Sequence, residues 1–289
     1  MKSQLSCFVA NENHKNMKTL ILTFISLVLA SGLFAQQFSG VATYESRSQI
    51  ELSLDSSAMS PQEMQALKQQ LLKKMQKTYT LKFNAKESLW EQEESVNSGP
   101  ASASSNGMEL VISNGSSKDK LYRNLEEGKY RNSQELMGKR FLVIDSLPKY
   151  DWKIGSETKQ IGDYSCRRAV YTRISDARRF ATGMEEMEVT KDTTQIEAWF
   201  TMDIPVAQGP TTYFGLPGLI LELKSNGRHF ICTKVNLNYQ EQEEIKVPDQ
   251  GKEVTLKEFQ AISEEKMKEM MQRYQGKGDG SNIEIVIGG

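Results

Sequence analysis

The chain has 289 residues, 38% hydrophobic and 25% charged, with a formal net charge of −1. That balance excludes a disordered, self-repelling polymer and gives no basic field for nucleic acid. A fold of this length can bury roughly 70–75% of its unfolded surface, so it needs no metal or disulfide framework to be stable.

Residues 1–35 are set apart from the fold. Lys18 is followed by the apolar run "TLILTFISLVLASGLFA", ending on small Ala35 before Gln36 and Gln37, which reads as a secretory signal with Met17 as a tidier start than Met1. The position three before the break is Leu33, so an uncleaved anchor is the alternative. No cysteine follows the apolar run, which argues against a lipid anchor, and no later segment approaches a membrane-spanning length. Losing the leader removes Lys2, Lys15, Lys18 and Glu12 and leaves a net charge of about −3. Cys7 leaves too, and the mature chain, residues 36–289, keeps Cys166 and Cys232. In an oxidising compartment the pair is either a disulfide, worth about 4 kcal/mol in the chain-entropy picture, or two small buried side chains on neighbouring strands.

"FSGVATYESRSQIELSL" alternates with a period of two, placing Ala42 and Tyr44 on one face and Val41, Thr43 and Glu45 on the other. Ser60-Pro61-Gln62-Glu63 is a capping box with proline at the first helical position, and Met64, Leu67, Leu71 and Met75 give a helix over 61–77. "TYTLKFNA" and "SLWEQEE" return to strand character, and Ser95 to Gly107 reads as a flexible loop. From Lys118 to Phe200 short strands ("DKLYRNL", "KYRNS", "KRFLVID", "YDWKI", "KQIG", "SCRRAVYTRI", "TTQIEAWFT") predict one antiparallel meander. A charged excursion at about 175–193 interrupts it as a second loop.

"YFGLPGLILEL" sets two glycines and a proline inside a strand-like run. Pro217 and Gly218 fit a type II turn over Leu216–Leu219, with Gly218 at positive φ and Gly215 allowing a close backbone approach. Asn226-Gly227 predicts a two-residue type I′ hairpin pairing Leu223 with Phe230, Leu221 with Cys232, Glu222 with Ile231 and Lys224 with His229. Thr255 and Glu258 form a second capping box opening a helix at 256–274, and "IEIVI" can add to a sheet edge. The expected fold is one α+β domain, a curved antiparallel sheet with two amphipathic helices on one side.

His229 is the only histidine outside the leader, so serine triads and HExxH zinc sites are absent, and it reads as a surface residue of the hairpin. Glu222, Glu197 and Asp203 can support carboxylate chemistry only if two share a cleft. Met184 and Met187, and Met267, Met270 and Met271, admit a Cu(I) reading against the plainer one of helix packing. GLPG lies between strands and opens no helix, so it is not a phosphate loop.

The run Tyr213–Leu223 resembles the signature of the GLPGLI family, exported proteins of Bacteroidota of uncharacterised function. "KQIGDYSCRRA" (Lys159 to Ala169) is similar to the family's K-x-I-x-G-Y-x-C-K/R-x-A segment, with Asp163 as an extra place, and "EAWFTMDIPVAQGPTTYFGLPGLILEL" to its A-W-Y/F-T…I-P…G-P…Y-x-G-L-P-G pattern. The resemblance implies a periplasmic or outer-membrane-associated protein with an outer-membrane TonB-dependent transport partner. By weaker analogy a helix on a long meander looks like the LolA/LolB half-barrels that hold acyl chains. The leading expectation is therefore a non-enzymatic envelope binding protein without cofactor. It would hold an apolar or lipid-like ligand, or dock on a transport partner, with Trp199, Phe214, Leu216, Leu219 and Glu222 at the concave face. The alternatives are a Cu(I)-handling protein and a carboxylate-dependent hydrolase near Glu222.

Overall fold

Two capping boxes and one Asn-Gly turn punctuate the chain where the sequence puts them. The computed structural model describes residues 38–48, 60–94, 101–105, 108–112, 118–181, 188–237, 245–275 and 284–287. All of these belong to the unit Phe38–Gly289. The leader, with Met17 and Cys7, and the pair Met184 and Met187 lie outside the described residues.

Helix α1 (Pro61–Met75) begins with Glu63 N donating to Ser60 Oγ at 3.3 Å and Ser60 N donating to Glu63 Oε2 at 2.9 Å. Helix α2 (Leu256–Gln275) repeats the device, with Thr255 N to Glu258 Oε2 at 2.7 Å and Glu258 N to Thr255 Oγ1 at 3.2 Å. Each box satisfies two of the amide groups that a helix start leaves without partners.

The strands are β1 (Gly40–Ser48), β2 (Lys77–Phe83), β3 (Glu87–Gln92), β4 (Ala101–Ser105), β5 (Met108–Ile112), β6 (Lys120–Asn124), β7 (Lys129–Leu136) and β8 (Lys139–Ser146). There follow β9 (Lys153–Ile161), β10 (Tyr164–Ala181), β11 (Glu188–Thr201), β12 (Leu219–Ser225), β13 (Arg228–Leu237), β14 (Lys252–Val254) and β15 (Glu284–Ile287). Thirteen of them form one sheet in the order β14-β8-β7-β6-β3-β2-β1-β13-β12-β11-β10-β15, with β9 also on β10, and β4 and β5 pair apart as a hairpin. The pairing is antiparallel except for β14 against β8, which is parallel.

Two parts of the expected layout are corrected. The single meander is two, β6-β7-β8 and β9-β10-β11-β12-β13, held apart by β3, β2 and β1. "YDWKI" is not a strand of its own: residues 147–152 link the meanders, because Pro148 breaks the ladder and the Tyr150 and Trp152 rings pack into the core. Likewise both expected loops contain strands. Ala101–Ser105 pairs with Met108–Ile112, while β10 runs on to Ala181 against a β11 that starts at Glu188. The sequence over 175–193 is rich in charge and lacks the apolar alternation that a strand reading relies on.

One face of the sheet carries the core. By register Ala42 meets Leu81, which meets Trp90, which meets Leu121, and Ser88 lies between Phe83 and Arg123. Alternation along β1 buries Ala42, Tyr44 and Ser46 and leaves the residues between them partly exposed. Trp90 stacks on Tyr79 with ring centroids 4.9 Å apart and meets Tyr44 and Phe230 edge-on. Against this face lies the segment 202–218, whose Ile204, Val206, Tyr213 and Leu216 join the same buried cluster. A satellite core joins Phe141, Val143 and Val254 to Phe259 and Ile262 of α2.

Candidate functional site: a plugged sheet face and the cavity it leaves

The glycines of the signature exchange the roles that the sequence assigns them. Gly218 is not at positive φ, so the type II turn is not formed. A Cβ there would lie 1.9 Å from the Thr201 carbonyl oxygen, so Gly218 is the close approach. Gly215 has φ of +90° and open space around it, so it supplies the unusual backbone conformation. The reason lies in β11: Leu219 pairs with Thr201, and the chain must press against that strand's end before it can turn into β12. The Asn-Gly turn is as expected, with φ of 49° at Asn226 and 67° at Gly227 and with Leu223 on Phe230, Glu222 on Ile231 and Lys224 on His229. Pairing of β12 with β13 stops at Glu222, so Leu221 does not meet Cys232, which sits opposite Tyr44 of β1.

Residues 202–218 form a plug pinned by polar groups from the sheet. Arg123, buried on β6, donates from Nη1 to the Tyr213 carbonyl at 3.2 Å and from Nη2 to those of Thr211 at 2.6 Å and Gly209 at 3.3 Å. Its guanidinium lies 4.9 Å from the Phe214 ring centroid. Burial pulls the Arg123 pKa down to about 10, which still leaves it charged at neutral pH. Further bonds to the plug come from Ser88 Oγ to Gln208 Oε1 at 2.8 Å and Trp152 Nε1 to the Phe214 carbonyl at 2.9 Å, and just beyond it Tyr44 Oη donates to the Ile220 carbonyl of β12 at 2.7 Å. Sequence reasoning missed Arg123, Gln208 and Ser88. Arg123 is a basic residue in an alternating strand, a pattern that normally marks a solvent-facing position, and nothing in "KLYRN" distinguishes the inward case.

The residues expected to line an apolar groove divide between two places. Leu216 and Leu219 are 1% and 0% exposed inside the core, and Phe214 packs beneath Arg123 and edge-on to Tyr150. Trp199 and Glu222 are cross-strand partners that share Lys159, whose Nζ is 2.5 Å from Glu222 Oε2 and 4.2 Å from the Trp199 ring centroid. His229 Nε2 approaches Glu222 Oε1 to 3.0 Å without the alignment of a hydrogen bond, and Lys224 lies 3.7 Å from the same oxygen. Beside them Glu197 accepts from Trp199 Nε1 at 3.1 Å and from Arg168 Nε at 2.9 Å. Burial pushes the Glu197 carboxyl up, but those two hydrogen bonds and the Lys224 and Arg168 charges outweigh it and hold it below the usual range. The row is a cross-strand ion-pair network, and its carboxylates are occupied by cations rather than facing one another across a cleft.

Cys166 and Cys232 are free thiols in this structure, on β10 and β13 with β11 and β12 between them, so they are not on neighbouring strands. Burial pushes Cys166 up to about 11 and Cys232 up to about 12. Among the described residues no group of three or more His, Cys, Asp or Glu side chains gathers where it could hold a metal ion. Nor, among them, is any helix long and apolar enough to cross a membrane.

Where the plug ends, the same sheet face opens as a cavity of about 230 Å³. Lys77 and Tyr79 of β2, Trp90 and Gln92 of β3 and Arg228 of β13 form its walls, with Thr211 and Thr212 of the plug at one end. Lys77 is lowered first by burial and then by the Arg228 charge, so two cations share this space; burial raises nearby Asp119. A second groove, of about 890 Å³, runs between Glu93, Glu94, Lys118 and the segment 245–250.

A family model described as a protein of unknown function (Porph_ging) matches residues 152–222, a span that runs from the link before β9 through the plug to Glu222. No curated protein matches the chain. Among solved structures, "Structure of PNGF-II in C2 space group" superposes with a TM-score of 0.43 at 15% identity, covering 78% of this chain and 32% of that one. "Structure of PNGF-II in P21 space group" gives 0.41 at 16% identity, over 78% and 33%. The chain therefore spans about a third of the length of those two structures and is similar, over its residues 152–222, to a family of unknown function.

Proposed function

We propose that the protein is a non-enzymatic binding protein of the cell envelope, and that the family matched at 152–222 and the GLPGLI signature describe one group of exported proteins. The observation that carries the binding reading is the cavity at the open end of the plugged face, where cationic, amide and aromatic side chains from separate strands converge. Leu216 and Leu219 are packed in the core, so an occupant would meet the cavity walls and not the signature residues. The envelope placement rests on the leader-like N-terminus and on the resemblance of the signature.

Docking on an outer-membrane transport partner is the second reading, favoured by β9. Among the described residues this nine-residue strand pairs only with β10, its burial pattern is exposed almost throughout, and Ile154 stands 44% exposed on it. Such an edge can accept an added strand.

Native mass spectrometry of the protein taken from its own envelope is the test. A non-covalent adduct of small-molecule mass that survives gentle activation and is lost on unfolding is the expected result. A bare polypeptide mass from that source, under conditions that preserve known complexes, would remove the binding reading.

A further inference from the structure

The cavity has an uneven wall, and its chemistry selects a ligand. On one side Lys77 and Arg228, from β2 and β13, bring two cations close enough to repel. On another lies Tyr79, a half-buried ring backed by buried Trp90, which stacks on it 9° from parallel. Along the same face the amides of Gln92, Asn132 and Gln134, with the Thr212 hydroxyl of the plug, offer both donors and acceptors. Asp119 also lines it, its Oδ1 accepting from Glu135 N at 3.1 Å and lying 3.5 Å from Arg140 Nη1, and its charge partly offsets the repulsion at Lys77. The volume of about 230 Å³ lies below the usual range for drug-sized sites.

The backbone supplies an independent sign. Thr211, at the plug end of the cavity, has φ of 54°, a conformation that a β-branched residue adopts only under constraint. The constraint is visible: buried Arg123 Nη2 holds the Thr211 carbonyl at 2.6 Å. Strain of this kind persists where the surroundings enforce it, and it concentrates at ligand clamps. Here it holds the Thr211–Thr212 corner that lines the cavity.

We propose, building on the binding reading above, that this cavity is a site for an anionic monosaccharide, with Lys77 and Arg228 holding the acid group and Tyr79, backed by Trp90, holding the ring. A charged group alone would need only the cations. Three amides and a hydroxyl match a ligand with several hydroxyls, and the Tyr79 ring matches the apolar face of a sugar ring. The acid can be a carboxylate, as in a sugar acid, or a phosphate, as in a sugar phosphate; both satisfy a guanidinium and an ammonium.

The test is isothermal titration of the mature protein with glucuronate, glucose 6-phosphate, glucose and inorganic phosphate. One or both sugar anions should bind with a Kd of about 0.1–1 mM, and the tighter arm identifies the acid group. Glucose and inorganic phosphate should each bind at least about tenfold more weakly, since each offers half of the recognition. Arg228 is exposed at the end of the hairpin, so Arg228→Gln should fold normally and lose about tenfold in affinity, and Lys77→Gln should do the same. No binding of either sugar anion at about 10 mM would overturn the proposal. So would equal binding of glucose or of inorganic phosphate, or a folded Arg228→Gln variant that binds like the parent. An adduct of another mass on the native protein, with no sugar-anion binding, would overturn this assignment and leave the binding reading standing.

Discussion

Gly218 and Gly215 stand three residues apart and answer to different forces. Any side chain at Gly218 drives a carbon into the Thr201 carbonyl, so Gly218→Ala should lower stability by about 2 kcal/mol or more, as overpacking against an unyielding backbone does. At Gly215 only the backbone conformation is strained, and Gly215→Ala should cost about 1–2 kcal/mol, with Gly215→Asn recovering part of it. Urea unfolding of the three variants gives the order; equal losses at both positions would contradict the assigned roles. Arg123 is the opposite case, a buried charge kept by three carbonyl acceptors and a ring. Removing it leaves those carbonyls without a donor, so Arg123→Met should cost about 3 kcal/mol or more, and Arg123→Lys should not restore it because an ammonium cannot span the same fork. Thr211→Gly should relieve local strain and hold or slightly raise the melting temperature, by up to about 1 kcal/mol in stability. A marked loss there would mean that the methyl group packs usefully.

At the scale of elements, the ion-pair row across β9 to β13 links acid sensitivity to particular strands. The folded Glu197 carboxyl sits below its ordinary range. Its contribution is therefore full above the unfolded pKa and lost as pH falls through the folded one. Since the side chain is 22% exposed, the effect is about 0.5 kcal/mol, and Glu197→Gln should lose that at pH 7 and less at pH 3. A loss that is the same at both pH values would assign Glu197 a packing role instead. Asp119 has the opposite sign: with its carboxyl raised by burial, its penalty on folding grows as pH rises from the unfolded value to the folded one and is constant above that. The thiols give a third readout. With Cys166 at about 11 and Cys232 at about 12, native protein at pH 8 should resist iodoacetamide, while denatured protein should take up two labels outside the leader. An intact mass two daltons light, with no labelling after unfolding, would instead place the pair in a disulfide.

The legible parts of the sequence were those decided within a few residues. Ser60 and Glu63, Thr255 and Glu258, and Asn226 with Gly227 each complete their structure locally, so both helices and the hairpin register follow from the chain itself. What escaped was decided by partners far away. Whether Gly218 turns or approaches depends on the end of β11. Whether Arg123 faces out or in depends on a plug about 90 residues later. The two meanders read as one because short turns fix neighbours inside each, and the link at 147–152 carries no local mark of the jump that it makes. The candidate cavity was illegible for the same reason: its walls come from β2, β3, β7, β13 and the plug, and none of "KTY", "LWEQ", "NSQ" or "NGR" resembles a site alone.

Strand β1 lies between β2 and β13, and Thr233 Oγ1 donates to the Thr43 carbonyl across 190 positions of sequence. That placement sets an order of events. The first strand to emerge can pair with β2 at once, but its other edge stays open until nearly the whole chain has arrived, and only then can the plug seat on Arg123. Closing so long a loop is slow, which predicts refolding on the scale of milliseconds to seconds. It also predicts that a chain cut before β12 keeps a bare β1 edge and aggregates where the full chain stays monodisperse. A protein built this way has to be completed before it can be stable, and its last hairpin is the clasp.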